Sequence, residues 1–295
     1  MARALKGTDP KAAKVSKPKI LIYGKPGVGK TWTALDFPSV YYIDSEGGAN
    51  LPHYTDKLKA AGGVYLGPND GGNDFAVVTE EIITLATTQH RFRTLVIDSM
   101  SKIFNTQVAA DHEKMEKAGR DMERTFGAEK KPAINYIRRW LRWFEKLDMN
   151  VVLICHEKSQ WRDGKEMGVT FDAWEKLDYE LHLALHIVKQ GATRKAKVTK
   201  TRLAEFPDMA TFDWSFPEFA ARYGRDVIEA AAIPFIPATP EQVNKLNTLI
   251  EALRVEAAIT DKWKEKAGVE EFEEMDAATI QKCIDWLTNK LSKVA

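Results

Sequence analysis

What this chain has little of narrows it first. Two cysteines in 295 residues, Cys155 and Cys283, cannot build a disulfide framework, so a packed core must hold the fold and a reducing cytoplasm is the expected home. No apolar run approaches the ~20 residues a helix needs to span a bilayer. Met1–Lys19 lacks the apolar stretch of a signal peptide, so no membrane partner is expected. Net charge is only +1, but it is spread unevenly. Residues 1–20 carry six basic groups (Arg3, Lys6, Lys11, Lys14, Lys17, Lys19) against Asp9. Such a tail either touches nucleic acid or is a solvated end. What is present is a globular composition, 44% hydrophobic and 29% charged, with length for one large domain or one plus a small appendage.

The expected organisation is a basic disordered tail over 1–18, a core over 19–232, a linker over 233–238 and a small helical module over 239–295. In the core, strands and helices alternate, which predicts an α/β fold with a mainly parallel sheet. Strands are expected at Ile20–Tyr23, Val40–Asp44, Gly63–Leu66, Thr94–Asp98, Val151–Cys155, Tyr179–Val188 and Lys195–Thr201. Helices are expected at Lys30–Asp36, Ala49–Ala61, Asp74–Thr88, Ser99–Ala118 and Pro132–Leu147. The last two strands, joined through Lys189–Arg194, read as a late antiparallel hairpin. Pro234, Pro237 and Pro240 punctuate the linker. Thr239, with Gln242 three residues on, predicts a capped helix start, and Asp276 predicts another. The module holds eight Lys or Arg against eleven Asp or Glu, so its surface is a poor main site for nucleic acid.

Gly24-Lys25-Pro26-Gly27-Val28-Gly29-Lys30-Thr31 fills the pattern Gly, four residues, Gly, Lys, Ser or Thr, between an apolar strand and a helix that Trp32 continues. Glycines let backbone N–H groups converge on phosphates. Lys30 then reaches the β- and γ-phosphates and the Thr31 hydroxyl ligates Mg²⁺, so ATP and Mg²⁺ are the expected cofactors and Gly24 to Trp32 the binding stretch. Asp98 ends an apolar strand about 65 residues later, where a second Mg²⁺-organising carboxylate belongs. Val40–Asp44 leads into Ser45-Glu46-Gly47-Gly48 at the sheet edge where such folds bind ligands. That places Asp44 and Glu46 side by side on one pleat face, with Glu46 the candidate to orient and deprotonate the attacking water.

His156 ends another apolar strand, as either a γ-phosphate sensor or a satisfied polar group. His182 and His186 lie in an alternating run, which spaces them ~13 Å apart and argues against a shared metal. Lys195, Lys197, Lys200 and Arg202 cluster on the late hairpin. Lys200 and Arg202 are candidates to reach a nucleotide held by a neighbouring subunit; the alternative is an edge strand protected by lysines.

In this order the motifs resemble the RecA-like recombinase core over roughly residues 18–225, and more narrowly the phage-encoded RecA-like ATPases that act in single-strand annealing. The carriers are the phosphate loop, Ile43-Asp44-Ser45-Glu46, Leu95-Val96-Ile97-Asp98-Ser99, Leu153-Ile154-Cys155-His156 and the basic hairpin. The resemblance implies a RecA-like fold, Glu46 as catalytic glutamate, Asp98 as Mg²⁺-organising acid, and Lys200 and Arg202 acting across a subunit interface. His156 stands where the family commonly has an amide sensor. Two long unassigned stretches, Glu113–Lys131 and Glu157–Lys176, fall where the family has DNA-binding loops. Their chemistry agrees: Lys114, Lys117, Arg120, Arg124, Lys130 and Lys131 suit phosphates, while Trp161, Phe171 and Trp174, with Arg162, suit stacked bases. The implied function is an ATP-dependent, single-stranded-DNA-binding annealing protein that self-assembles as a filament or ring. Its C-terminal module would recruit a single-strand-binding protein or a nuclease. The alternatives are a helicase-like motor or loader, and a DNA-binding protein that uses ATP without turnover.

Overall fold

The structure, a computed structural model, describes residues 16–121, 127–162 and 164–291. Its centre is a sheet of nine strands: β1 (Lys19–Gly24), β2 (Val40–Asp44), β3 (Val64–Leu66), β4 (Thr94–Asp98), β5 (Asn150–Arg162), β6 (Lys165–Phe171), β7 (Leu183–Gln190), β8 (Thr193–Thr201) and β9 (Thr211–Asp213). The order is β3-β2-β4-β5-β1-β7-β8-β9, with β6 paired to β5. Pairings from β3 through β7 are parallel, and β5–β6, β7–β8 and β8–β9 are antiparallel. This is the expected mainly parallel sheet with a late hairpin.

Alternation along the central strands splits the core into two layers. Leu21, Tyr23, Ile43, Leu95, Ile97, Val151 and Leu153 face α3 (Phe75–Thr87), α4 (Met100–Lys117) and α5 (Lys131–Lys146). Ile20, Ile22, Val40, Tyr42, Val96, Val152 and Ile154 face α1 (Lys30–Ala34), α2 (Pro52–Ala60), α7 (Phe216–Tyr223) and α8 (Arg225–Glu229). Helix α5 shows how the pattern selects its face. Ala133, Ile137, Trp140, Trp143 and Phe144 are buried at helical spacing, and the Trp140 indole donates to Thr79 Oγ1 at 2.7 Å, which satisfies the one polar atom that burial would strand. On its other side Arg139 and Arg142 pair with Glu274 and Glu270. Those acids belong to the C-terminal helices α9 (Pro240–Ala252), α10 (Ala257–Ala267) and α11 (Ala277–Leu291) and their connections, which pack on a separate apolar cluster including Leu246, Met275, Ile280, Ile284 and Leu287. The Thr239–Gln242 capping box is formed. Segment 233–238 is tied down, with Phe235 N–H donating to Ala86 O and Ala238 N–H to Met275 O.

Several expectations need correction. α2 starts at Pro52, not Ala49, because the Ala49 N–H is held by Asp44 Oδ2 at 2.9 Å and proline suits the first helical turn. The strand expected from Tyr179 starts at Leu183, since Leu177–Glu180 closes a short helical turn, α6. The hairpin connection shrinks to Gly191-Ala192. The stretch Glu157–Lys176 is not a loop over most of its length: β5 runs on past the sheet and β6 folds back on it as a two-stranded ribbon. Arg3, Lys6, Lys11 and Lys14 lie outside the described residues, but Lys17 and Lys19 are buried rather than part of a solvated tail.

Lys19 carries a pH prediction. Its ammonium donates to Leu147 O and Met149 O, and burial, only partly offset by Asp148, brings its pKa down to about 7. Unfolded, the amine keeps its proton to near 10.5. Between these values the unfolded chain binds the extra proton, so stability rises with pH. Lys200, lowered to about 8 by burial and Arg202, acts in the same direction. Above about 9 the buried Cys155 thiol, pushed up to about 12, acts oppositely. Denaturant unfolding at pH 7 and 9 is expected to show a gain of roughly 2 kcal/mol, and Lys19→Met should remove most of that slope even though it lowers stability overall.

Candidate functional site

Register assembles the site. In the parallel sheet Asp44 lies opposite Asp98, Asp98 opposite Ile154, and Gly24 opposite His156. Four segments far apart in sequence therefore end side by side at one edge of the sheet.

The phosphate loop leaves β1 at Gly24, where a side chain would collide with Ile187 O, and turns at Gly29 with φ 89°, a conformation open to glycine. Lys25, Pro26 and Gly27 are exposed, while Val28 packs inward. Lys30 folds back over the loop and donates to Gly24 O at 2.6 Å and Lys25 O at 3.0 Å. Burial draws its pKa below the usual lysine value, against the pull of Asp98 and Glu157. Because α1 has only five residues, shorter than Lys30–Asp36, anion affinity here rests on loop N–H groups and Lys30 more than on a macrodipole. The Trp32 ring packs against Tyr54 and His53, with the Lys57 ammonium 3.9 Å above it.

The Thr31 hydroxyl donates to Asp98 Oδ2 at 2.5 Å and Tyr42 OH donates to the same oxygen at 2.8 Å. Burial pushes the Asp98 pKa up, and these two hydroxyls work against it. A cation beside Asp98 would replace the hydroxyl protons as its partner, so Thr31 and Asp98 fit Mg²⁺. Among the described residues no cluster of three or more His, Cys, Asp or Glu could hold a metal alone; an ion here would need nucleotide oxygens as further ligands.

Asp44 and Glu46 separate in role. Asp44 is buried and accepts from the N–H groups of Glu46, Gly47 and Ala49 and from Tyr65 OH. It shapes the turn and does not share a strand face with Glu46, which lies past the end of β2. Glu46 Oε1 accepts from Ser99 Oγ at 2.5 Å and contacts His156 Nε2 at 2.8 Å. Ser99 also caps α4, and Ser45 locks to it in both directions. A cavity of about 190 Å³ lies between Thr31, Tyr42, Glu46, Tyr54 and Asp98. Sequence reading passed over Tyr42, Tyr54 and the side-chain roles of Ser45 and Ser99. The repeated Asp-Ser at two strand ends was the available signal.

The remaining candidates scatter. Ala184 lies opposite Lys200 and Lys189 opposite Arg194, so Lys200 and Arg202 sit at the sheet edge away from this chain's own loop. There they donate to Leu181 O and Tyr179 O. His182 Nδ1 accepts from Lys19 N–H, and His186 pairs with Glu157 at 3.1 Å. Phe171 is buried against Tyr23, which corrects its reading as a base-stacking ring. Trp174 is half-buried, with Arg138 over its ring, and shares a cavity of about 370 Å³ with Lys130, Lys158 and Lys176. Trp161 is 63% exposed on the ribbon, near the exposed Met167 and Val169. Lys114 and Arg120 line a shallow hollow past α4, Lys117 pairs with Glu113, and Lys131 opens α5. Arg162 ends β5. Arg124 lies outside the described residues.

The loop after β1, the Thr31–Asp98 contact, and β4 set between β2 and β5 define a P-loop nucleotide-binding core. The model of one family, described as an AAA domain, matches residues 16–206, and the chain belongs to that family. No curated protein matches the sequence. Among solved structures, the crystal structure of the RadB recombinase is similar, at 18% identity over 67% of this chain and 86% of that chain, with a TM-score of 0.44. Among the described residues, no helix is long and apolar enough to cross a membrane.

Proposed function

We propose that this protein is a Mg²⁺-dependent ATPase that assembles on single-stranded DNA and acts in recombination by annealing, with ATP at the interface between copies. The observation that carries the reading is the continuity of β5. His156 touches Glu46, and the next residue begins the ribbon that presents Trp161 to solvent. A strand bound along the ribbon would thereby act on the group beside the candidate catalytic carboxylate. Lys30 and the loop N–H groups hold the phosphates, Thr31 and Asp98 hold Mg²⁺, and Glu46 takes the proton of the attacking water. Lys200 and Arg202, remote from their own loop, serve a neighbour's nucleotide. Helices α9 to α11 form the surface offered to other recombination proteins.

Hydrolysis measured alone, with single-stranded DNA and with duplex tests this. Single strands alone are expected to raise turnover several-fold. Trp161→Ala should raise the half-stimulating DNA concentration by roughly 5- to 150-fold, since base–aromatic stacking contributes about 1–3 kcal/mol, with DNA-independent turnover unchanged. Turnover indifferent to DNA would sink the DNA reading. Strand unwinding by a closed hexamer would move the protein to the motor class.

A further inference from the structure

Arg194 is a cation at the phosphate loop that no motif points to. It is the second residue of β8, one residue past the two-residue turn, paired with Lys189. Its carbonyl accepts from Trp214 N–H at 2.8 Å, so its backbone is fixed from both sides. The side chain crosses to the loop and lies on Gly29. A Cβ built on Gly29 would fall 2.7 Å from Arg194 Cδ and 3.0 Å from Cζ, with Nε nearer still. Any side chain at position 29 would displace the guanidinium. That Nε is buried and has no hydrogen-bond partner among the described residues, and the same holds for the indole Nε1 of its neighbour Trp214. Buried donors are ordinarily satisfied, and one left open next to a ligand site points to the ligand.

We propose that Arg194 is a nucleotide-binding residue acting in cis, and that its guanidinium donates to the α- or β-phosphate oxygens of the nucleotide held by the loop. The assignment rests on the nucleotide-site reading and deepens it. Gly29 precedes Lys30, and the loop N–H groups of this motif cradle the α- and β-phosphates. A planar fork of five donors suits that place better than a lysine. Arg194 also divides the late hairpin by function. Its turn end serves the chain's own nucleotide, while Lys200 and Arg202 at its far end serve the next copy.

The test is calorimetric titration of ADP and ATP into the full chain and three variants. Arg194→Met keeps the aliphatic packing on Gly29 and removes the donors. It is expected to weaken ADP and ATP alike by roughly 10- to 100-fold, with the melting temperature of the nucleotide-free protein unchanged. Arg194→Lys, which retains charge without the fork, should recover part of the loss and serves as the working variant if Arg194→Met does not fold. ADP affinity within twofold of the parent chain in Arg194→Met, or full affinity in Arg194→Lys, overturns the proposal, as does a loss confined to ATP. Lys30→Ala separates the two levels: normal ADP binding in that variant would mean the nucleotide site itself is misplaced.

Discussion

Glu46→Gln is expected to lower ATP turnover by about 10²- to 10⁴-fold, the usual contribution of a positioned general base, while ATP affinity stays within about twofold. The amide keeps the shape and can still accept from Ser99, but it cannot take a proton. The side chain is 37% exposed, and the turn before it is held by Asp44 rather than by Glu46, so the fold should tolerate the change. Steady-state hydrolysis together with ATP titration reads both quantities. Undiminished turnover would remove Glu46 from the chemistry. If the parent chain itself binds ATP without turning it over, the non-catalytic alternative gains.

Lys30→Ala should weaken ADP and ATP by on the order of 100-fold or more, the scale on which truncating a buried, hydrogen-bonded charge acts. Lys30 is 9% exposed, and its ammonium holds two loop carbonyls, Gly24 O and Lys25 O. The substitution therefore removes a phosphate partner and the brace that preshapes the loop. The variant should still melt cooperatively, because the core layers on both faces of β1 are untouched. Binding at parental strength would show that phosphates are held elsewhere. Loss of cooperative melting would instead show that the Lys30 brace supports the fold and not only the ligand.

Much of the fold was legible because it is written in short-range pattern. Apolar runs of three to five residues, closed by Gly24, Asp44, Asp98 and His156, marked β1, β2, β4 and the first half of β5. Thr239 caps as expected, while Asp74 and Ser99, expected as first helical residues, stand one position earlier as the N-caps of α3 and α4. The ribbon was not legible, because its strands bury only one end. Lys158–Arg162 holds one apolar residue, Trp161, and the alternating Met167 and Val169 are exposed, so no buried face marks these strands; backbone pairing and the Ser159–Glu166 hydrogen bond between them make the structure. The burial of Lys19 was equally hidden, since a lysine next to a proline and an apolar strand reads as a boundary. The carbonyls of Leu147 and Met149 and the charge of Asp148, more than a hundred residues away, make its burial tolerable.

By itself the sequence determined the phosphate loop, the strands that end in Asp44 and Asp98, and the separate capped helices after Thr239. Each depends on spacing within a dozen residues, where backbone geometry leaves few choices. Tertiary structure alone decided that Glu46 meets Ser99 and His156, that Asp44 supports a turn, that Phe171 is core, and that Arg194 rather than Lys200 lies on this chain's own loop. Those contacts join three or four strands whose order and register are set when the two apolar faces of the sheet find their helices. A one-residue slip would carry every such side chain to the opposite face.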